Sequence, residues 1–202
     1  MINRINTKFI PLDKYWVIRM GVLDMINGYT DIAFFLNKQK DLGGDLLALK
    51  HASKSWSSGL PVDIGESGTL YRFLQFTSWK LDLNKKFIKQ GTLKHRKVCT
   101  DSHIINWKLK KLLTLDGGTS QWASASILLG NTEKLKNPPY FIKVTYEAIK
   151  HWKSSRRNNK SWEPKFDEVL LRQSQYFVNR LNSKKSMFVP RDRKSTRLNS
   201  SH

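Results

Sequence analysis

Cysteine is almost absent from this chain: among 202 residues there is one, Cys99. A single thiol excludes an intrachain disulfide framework and any zinc site built on several thiolates, so nothing argues for an oxidising compartment. Long apolar runs are missing too. No stretch approaches the roughly 18 uninterrupted apolar residues of a membrane span. Asp13 and Lys14 break up Phe9 to Met20, which leaves no apolar core for a signal peptide. These absences predict a soluble, cytoplasmic protein. Acidic residues are scarce as well, 16 against 36 Lys plus Arg, which gives a formal charge of +20.

Aromatic residues are plentiful. Seven Trp, 10 Phe and 6 Tyr within a hydrophobic fraction of 39% supply enough apolar surface to offset chain entropy, so the chain is expected to fold as about one domain. The basic excess attracts anions and leaves a nucleic-acid partner open. It is composed of 25 Lys and only 11 Arg beside 13 Asn, a mixture that A/T-rich codon usage produces without any ligand. Nucleic-acid binding more often clusters Arg with aromatics, and the nearest approach to that is Lys150 to Lys160, KHWKSSRRNNK. His51, His95, His103 and His151 have no carboxylate-flanked i, i+4 partner of the kind that marks a zinc helix, and are read as surface or capping residues. Trp122, Trp152 and Trp162 are read as core.

Residues Asp192 to His202, DRKSTRLNSSH, correspond codon for codon to the translation of a widely used sequencing adapter, and an Arg191 codon can complete the junction. Residues 191–202 are therefore set aside as a non-native tail. On this reading the frame runs off the end of a DNA insert and the natural protein continues beyond residue 190. Without the adapter-matching residues 192–202 the charge is +18, because Arg193, Lys194 and Arg197 leave together with Asp192.

Hydrophobic periodicity predicts two short helices within residues 15–55, broken at Asn27-Gly28, and a third, DLLALKHA, capped by Asp45. SGTLYRFLQF (67–76) reads as a loop entering a buried helix. Residues 85–98 read as strand and turn, and Leu109 to Leu115 as a strand. TSQWASASILLG reads as a buried helix ending at Gly130. Phe141 to Val144 is expected as a strand and Thr145 to Trp152 as a helix with Val144, Ala148, Ile149 and Trp152 on one face. A final amphipathic helix begins near Pro164 with Phe166, Val169, Leu170, Phe177 and Leu181 on its apolar side. Strands alternating with helices predict an α/β fold.

Three segments place glycine beside hydroxyl, amide or cationic side chains: Gly65-Glu66-Ser67-Gly68-Thr69, Gly91-Thr92-Leu93-Lys94-His95-Arg96 and Gly117-Gly118-Thr119-Ser120-Gln121. A helix start has unpaired N–H groups and a partial positive charge, so such segments suit an oxyanion. None is a P-loop or a GxGxxG fingerprint.

In order along the chain, GESGTLYRFL (65–74), GTLKHR (91–96), GGTSQWASA (117–125) and NPPYFIKVTYEAI (137–149) resemble the successive motifs of the 5-enolpyruvylshikimate-3-phosphate synthases, or 3-phosphoshikimate 1-carboxyvinyltransferases. The resemblance spans about residues 60–152 and implies one incomplete domain over residues 1–190, out of two built from repeated β-α-β-α-β-β units. It implies phosphoenolpyruvate contacts from Gly68, Thr69 and Arg96, with Arg72 one helical turn after the loop. Shikimate 3-phosphate contacts are implied for Thr119, Ser120, Gln121 and Tyr140. Asn137 stands where the family has serine. Lys54-Ser55-Trp56-Ser57 looks like the family's N-terminal signature but lies too close to Ser67 and lacks the following Arg.

The resemblance further implies small anionic substrates, no metal or organic cofactor, no membrane partner and a monomer when intact. The family's catalytic carboxylates belong to a second domain, so a chain of this extent is expected to be inactive alone. Three alternatives remain: a transferase of the same fold with a UDP-sugar acceptor, a non-catalytic homologue, and a basic protein that binds polyanions or nucleic acid.

Overall fold

The computed structural model describes residues 12–158, 160, 165 and 168–182. The 191–202 tail, Pro164, Phe166 and Trp162 lie outside them. Residues Lys14–Lys165 form one compact unit, and the helix α8 (Glu168–Asn182) belongs to another. α8 lies where a last helix is expected.

The compact unit is built on α1 (Lys14–Ile26), where every residue from Trp16 to Met25 is buried. Around it lie α2 (Asp31–Asn37), α3 (Gly44–Ser55), α4 (Gly68–Lys80) and α7 (Tyr140–Arg157), while α6 (Gln121–Leu128) packs on α4 and α7. A helix surrounded on all sides must be apolar all round, and most of α1 is. Gly21 allows the closest approach: a Cβ there would lie 2.8 Å from Ile32 Cγ1 and 2.9 Å from Leu49 Cδ2. The Asn27-Gly28 break falls where expected, and Gly28 has a positive φ of 73°.

Two charged residues of α1 are buried with it. Arg19 is 1% exposed; it donates from Nε to Thr145 Oγ1 (2.7 Å) and from Nη2 to the carbonyl of Phe141 (3.1 Å) and to Ser124 Oγ (3.3 Å). Asp24 is fully buried. It accepts from Trp152 Nε1 (2.7 Å), Arg156 Nη2 (2.6 Å) and the backbone N–H of Ile32 (3.1 Å). Arg156 also meets Asp31 at 2.5 Å. Burial alone would lower the pKa of Arg156, but hydrogen bonds to Asp24 and Asp31 outweigh it and hold the pKa above its ordinary value.

The strands of the described residues are two short ones, β1 (Val62–Asp63) and β2 (Phe87–Ile88), paired in parallel with Val62 opposite Phe87 and Asp63 opposite Ile88. With α4 between them they form a β-α-β unit. Pairing continues past the strands, since Gln90 N donates to Gly65 O at 2.7 Å. The expected strand in 85–98 is thus its first part only, followed by a 3-10 turn at Gly91–Lys94.

Two other expected strands are helical. Leu109–Leu112 is a short helix, α5, whose Leu109 and Leu112 are buried at i, i+3 spacing. Phe141 to Val144 lies in the first turns of α7, which starts directly after Pro138-Pro139; Ile142, Thr145, Ala148 and Trp152 form its buried face. The alternation in FIKV imitates a strand, but the longer 3.6-residue period of the segment decides. Asp45 is not the cap of α3: Gly43 holds that position, and the Asp45 carboxylate instead meets Lys14 (3.0 Å) and Ser67 Oγ (2.5 Å). Trp122 and Trp152 are core residues as expected. His51, His95 and His103 are exposed, and His151 is half-buried against the Trp16 ring.

Gly21→Ala is expected to destabilise by about 1–3 kcal/mol despite the better helix propensity of alanine, because Ile32 and Leu49 must move. Arg156→Leu strands the Asp24 carboxylate and is expected to cost about 3–5 kcal/mol. Arg157→Leu, one residue further on and exposed, stays within about 0.5 kcal/mol. Urea unfolding midpoints of the three variants check both statements.

Candidate functional site

The β-α-β unit delivers a loop, Ile64 to Ser67, to the start of α4. Ser67 caps that helix, its Oγ accepting from Leu70 N (3.3 Å), while its hydroxyl proton goes to Asp45. Gly68 is the first helical residue. A Cβ on Gly68 would lie 3.0 Å from Arg72 Nη1 and 3.3 Å from Arg96 Nη1, so two guanidinium groups converge on a backbone position that carries no side chain.

Arg72 and Gln121 knit the two helix starts together. Arg72 Nη1 donates to the Gly68 carbonyl (3.1 Å) and to Gln121 Oε1 (2.9 Å), and Gln121 Nε2 donates to Thr69 Oγ1 (2.7 Å). Gln121 opens α6, where Thr119 Oγ1 accepts from its backbone N–H (3.3 Å) and Ser120 takes the cap position without a side-chain bond. Arg96 is exposed, and Nη2 makes a long 3.4 Å contact with Thr92 Oγ1. The structure therefore gathers Gly68, Thr69, Arg72, Arg96 and Gln121, with Thr119 supporting the last. Tyr140 opens α7 with 67% of its surface exposed and its ring against Phe141; the hydrogen bonds that join the others are made without it.

Two carboxylates that sequence reasoning passed over belong to this cluster. Asp116 accepts from Arg72 Nε (2.6 Å), Trp122 Nε1 (2.9 Å) and the backbone N–H of Cys99 (2.9 Å). Both side chains of the Arg72–Asp116 pair are over nine-tenths buried. Asp116 adopts a left-handed backbone, φ 48° and ψ 43°, which an Asp before glycine tolerates better than most residues. Glu66 accepts from Thr92 N and Oγ1, both at 3.2 Å, and its carboxylate fills the space that a side chain on Gly91 would need. The signal for Asp116 was the DGG turn, legible as a break but not as an anchor.

Within the cluster Arg72 is paired with Asp116, while Glu66 is taken up by Thr92. Arg72 has three of its five donors engaged internally, which leaves Nη2 for an outside acceptor, and Arg96 is the more accessible cation. The arrangement offers an oxyanion the start of α4, the Thr69 hydroxyl and one accessible guanidinium. A cleft of about 500 Å³ lies beside the same loop, lined by Asp45, Leu47, His51, Glu66, Ser67 and Gln90 among others. It includes neither arginine, so the cleft and the guanidinium cluster are separate features. Among the described residues no group of three His, Cys, Asp or Glu could hold a metal ion, and no helix is long and apolar enough to cross a membrane.

No family model matches the chain, and neither a curated protein nor a solved structure matches it at a significant level.

Asp116→Ala is expected to destabilise by about 3–5 kcal/mol, because it leaves the Arg72 charge buried and unpaired. Asp116→Asn keeps the side-chain acceptor and the tolerance for left-handed backbone, so its loss is smaller. Comparing both variants by urea denaturation checks the order.

Proposed function

We propose that this chain carries a small-anion half-site of the enolpyruvyl transferase type, from a protein that moves the enolpyruvyl group of phosphoenolpyruvate to shikimate 3-phosphate. The observation that carries the reading is the convergence of three separate motifs, through Gly68, Arg72, Arg96 and Gln121, at the start of one helix that follows a parallel strand. Motifs matched only by chance have no reason to meet. The β-α-β unit that holds them is compatible with an incomplete domain of that fold.

On this reading Arg96 holds the phosphoenolpyruvate anion by charge-assisted hydrogen bonds, and Gly68 admits it close to the backbone. Gln121, Ser120 and Thr119 face shikimate 3-phosphate, with Tyr140 reaching the site when it is complete. The transfer protonates the methylene carbon of phosphoenolpyruvate; the acceptor hydroxyl, giving up its proton, adds to the neighbouring cationic carbon, and loss of phosphate together with a proton from the new methyl group restores the double bond in the enol ether product. Those proton transfers are assigned to a second domain of the longer protein, and a cytoplasmic setting accompanies the reading. Because Asp116 takes up the charge of Arg72, Arg96 is the one guanidinium of the half-site left to draw in a multivalent anion. Further cations must close over it for tight binding.

Calorimetric titration of the folded chain with shikimate 3-phosphate and with phosphoenolpyruvate tests this. Weak saturable binding is expected, reduced about tenfold in Arg96→Ala, the worth of one charge-assisted hydrogen bond, with an unchanged unfolding midpoint. Equal binding by Arg96→Ala, or no saturable binding of either ligand to the folded chain, overturns the assignment.

A further inference from the structure

The part of the basic segment that lies in α7, residues 150–157, divides by side. Trp152 and Arg156 turn inward to Asp24, whereas Lys150, Lys153 and Arg157 are exposed. Lys143 joins them two turns earlier, so four cations at i, i+7, i+10 and i+14 lie along one ridge of α7. From Lys143 to Arg157 that ridge is about 21 Å long at 1.5 Å per residue. Tyr146 lies on the same ridge, 37% exposed, and Tyr140 stands at its start, 67% exposed. The one acid on the ridge, Glu147, has Lys165 4.0 Å away.

From this we infer that the outward ridge of α7 is a docking surface for single-stranded nucleic acid. The inference shares Tyr140 with the anion half-site and otherwise stands apart from it. Its first support is the use of charge in the rest of the compact unit. Asp24, Asp31, Asp45, Asp63, Glu66 and Asp116 all bind internal donors, and none of them lies on α7. In contrast, among the described residues the lysines in ion pairs are Lys14 and Lys165. The cationic excess is therefore displayed outward, and a ridge of lysines tracks a phosphate backbone as point charges without reading bases. The second support is the pair of exposed tyrosine rings, which offer unpaired bases a stacking face. An anionic bilayer fits less well, because the apolar side of α7, with Ile142, Ala148 and Trp152, is already packed in the core and has nothing to insert.

The test is fluorescence anisotropy of the full chain with a labelled oligothymidine of about 20 nucleotides at several salt concentrations. One variant carries Lys143→Gln, Lys150→Gln, Lys153→Gln and Arg157→Gln. A control with the same net charge carries Lys40→Gln, Lys54→Gln, Lys80→Gln and Lys86→Gln, all at exposed positions. Arg156 is left intact because it supports the fold. Wild-type affinity is expected to fall steeply with salt, the ridge variant to lose at least about tenfold, the control to stay within about threefold, and Tyr140→Ala to lose several-fold. Matching thermal melts show that the variants remain folded. Equal losses in the two quadruple variants, no loss in either, or tighter binding to phosphatidylserine vesicles than to the oligonucleotide overturns the inference.

Discussion

A carboxylate with no exposed surface, Asp24, is the interaction on which the helical body depends. It sits near the end of a helix buried on every side and takes its donors from the N–H of Ile32 in α2 and from Trp152 and Arg156 in α7. Removing a carboxylate from water costs several kcal/mol unless charge and hydrogen bonds replace the solvent. The geometry of α2 and α7 around α1 is therefore constrained by a need that apolar packing alone would not impose. Near the middle of α1, Arg19 makes the corresponding demand on α6 and α7 through Ser124, Thr145 and the Phe141 carbonyl.

The same economy of charge governs the candidate site. Arg72 is held between Asp116, Gly68 and Gln121, so one guanidinium group joins the starts of α4 and α6. Asp116 ties in Cys99 and Trp122, and Glu66 fastens the turn that leads to Arg96. This bracing keeps the backbone at Gly68 open while leaving Arg96 accessible. It also pairs the Arg72 charge internally, which separates a rigid frame from the strong positive field expected of a complete phosphate site. Most of the acids that anchor the interior pair with internal donors and not with lysines, Asp45 with Lys14 being an exception, and none of these anchors lies on the ridge of α7.

Much of the local organisation was legible in the residues. The breaks at Gly28 and Gly130, the loop leading into α4, the buried helix after Gln121 and the core positions of Trp122 and Trp152 each follow from a short-range rule of turn chemistry or apolar period. The strand expectation at Phe141–Val144 departs from the structure because so short an apolar stretch carries both periods, and that at Leu109–Leu115 departs because LKKLLTL spaces Leu109, Leu112 and Leu113 as a helix does. Burial of Ile142 and Thr145, three residues apart, selects the helical period at the start of α7. Asp45 departs for a related reason: it has the chemistry of a cap, but Ser67 and Lys14, distant in sequence, compete for its carboxylate.

For the site, the sequence by itself determined the residue types and their order: glycine before a helix, arginine one turn later, and an amide at the start of the next buried helix. Those depend on neighbours within a few positions along the chain. Tertiary structure alone decided that Arg72 would spend its hydrogen bonds internally, that Asp116 would hold it, and that Arg156 would face the core while Arg157 faces water. The physical reason is that desolvation depends on what surrounds a group in three dimensions. A buried charge takes its partner from whichever segment folding brings alongside, however far away in sequence that segment lies.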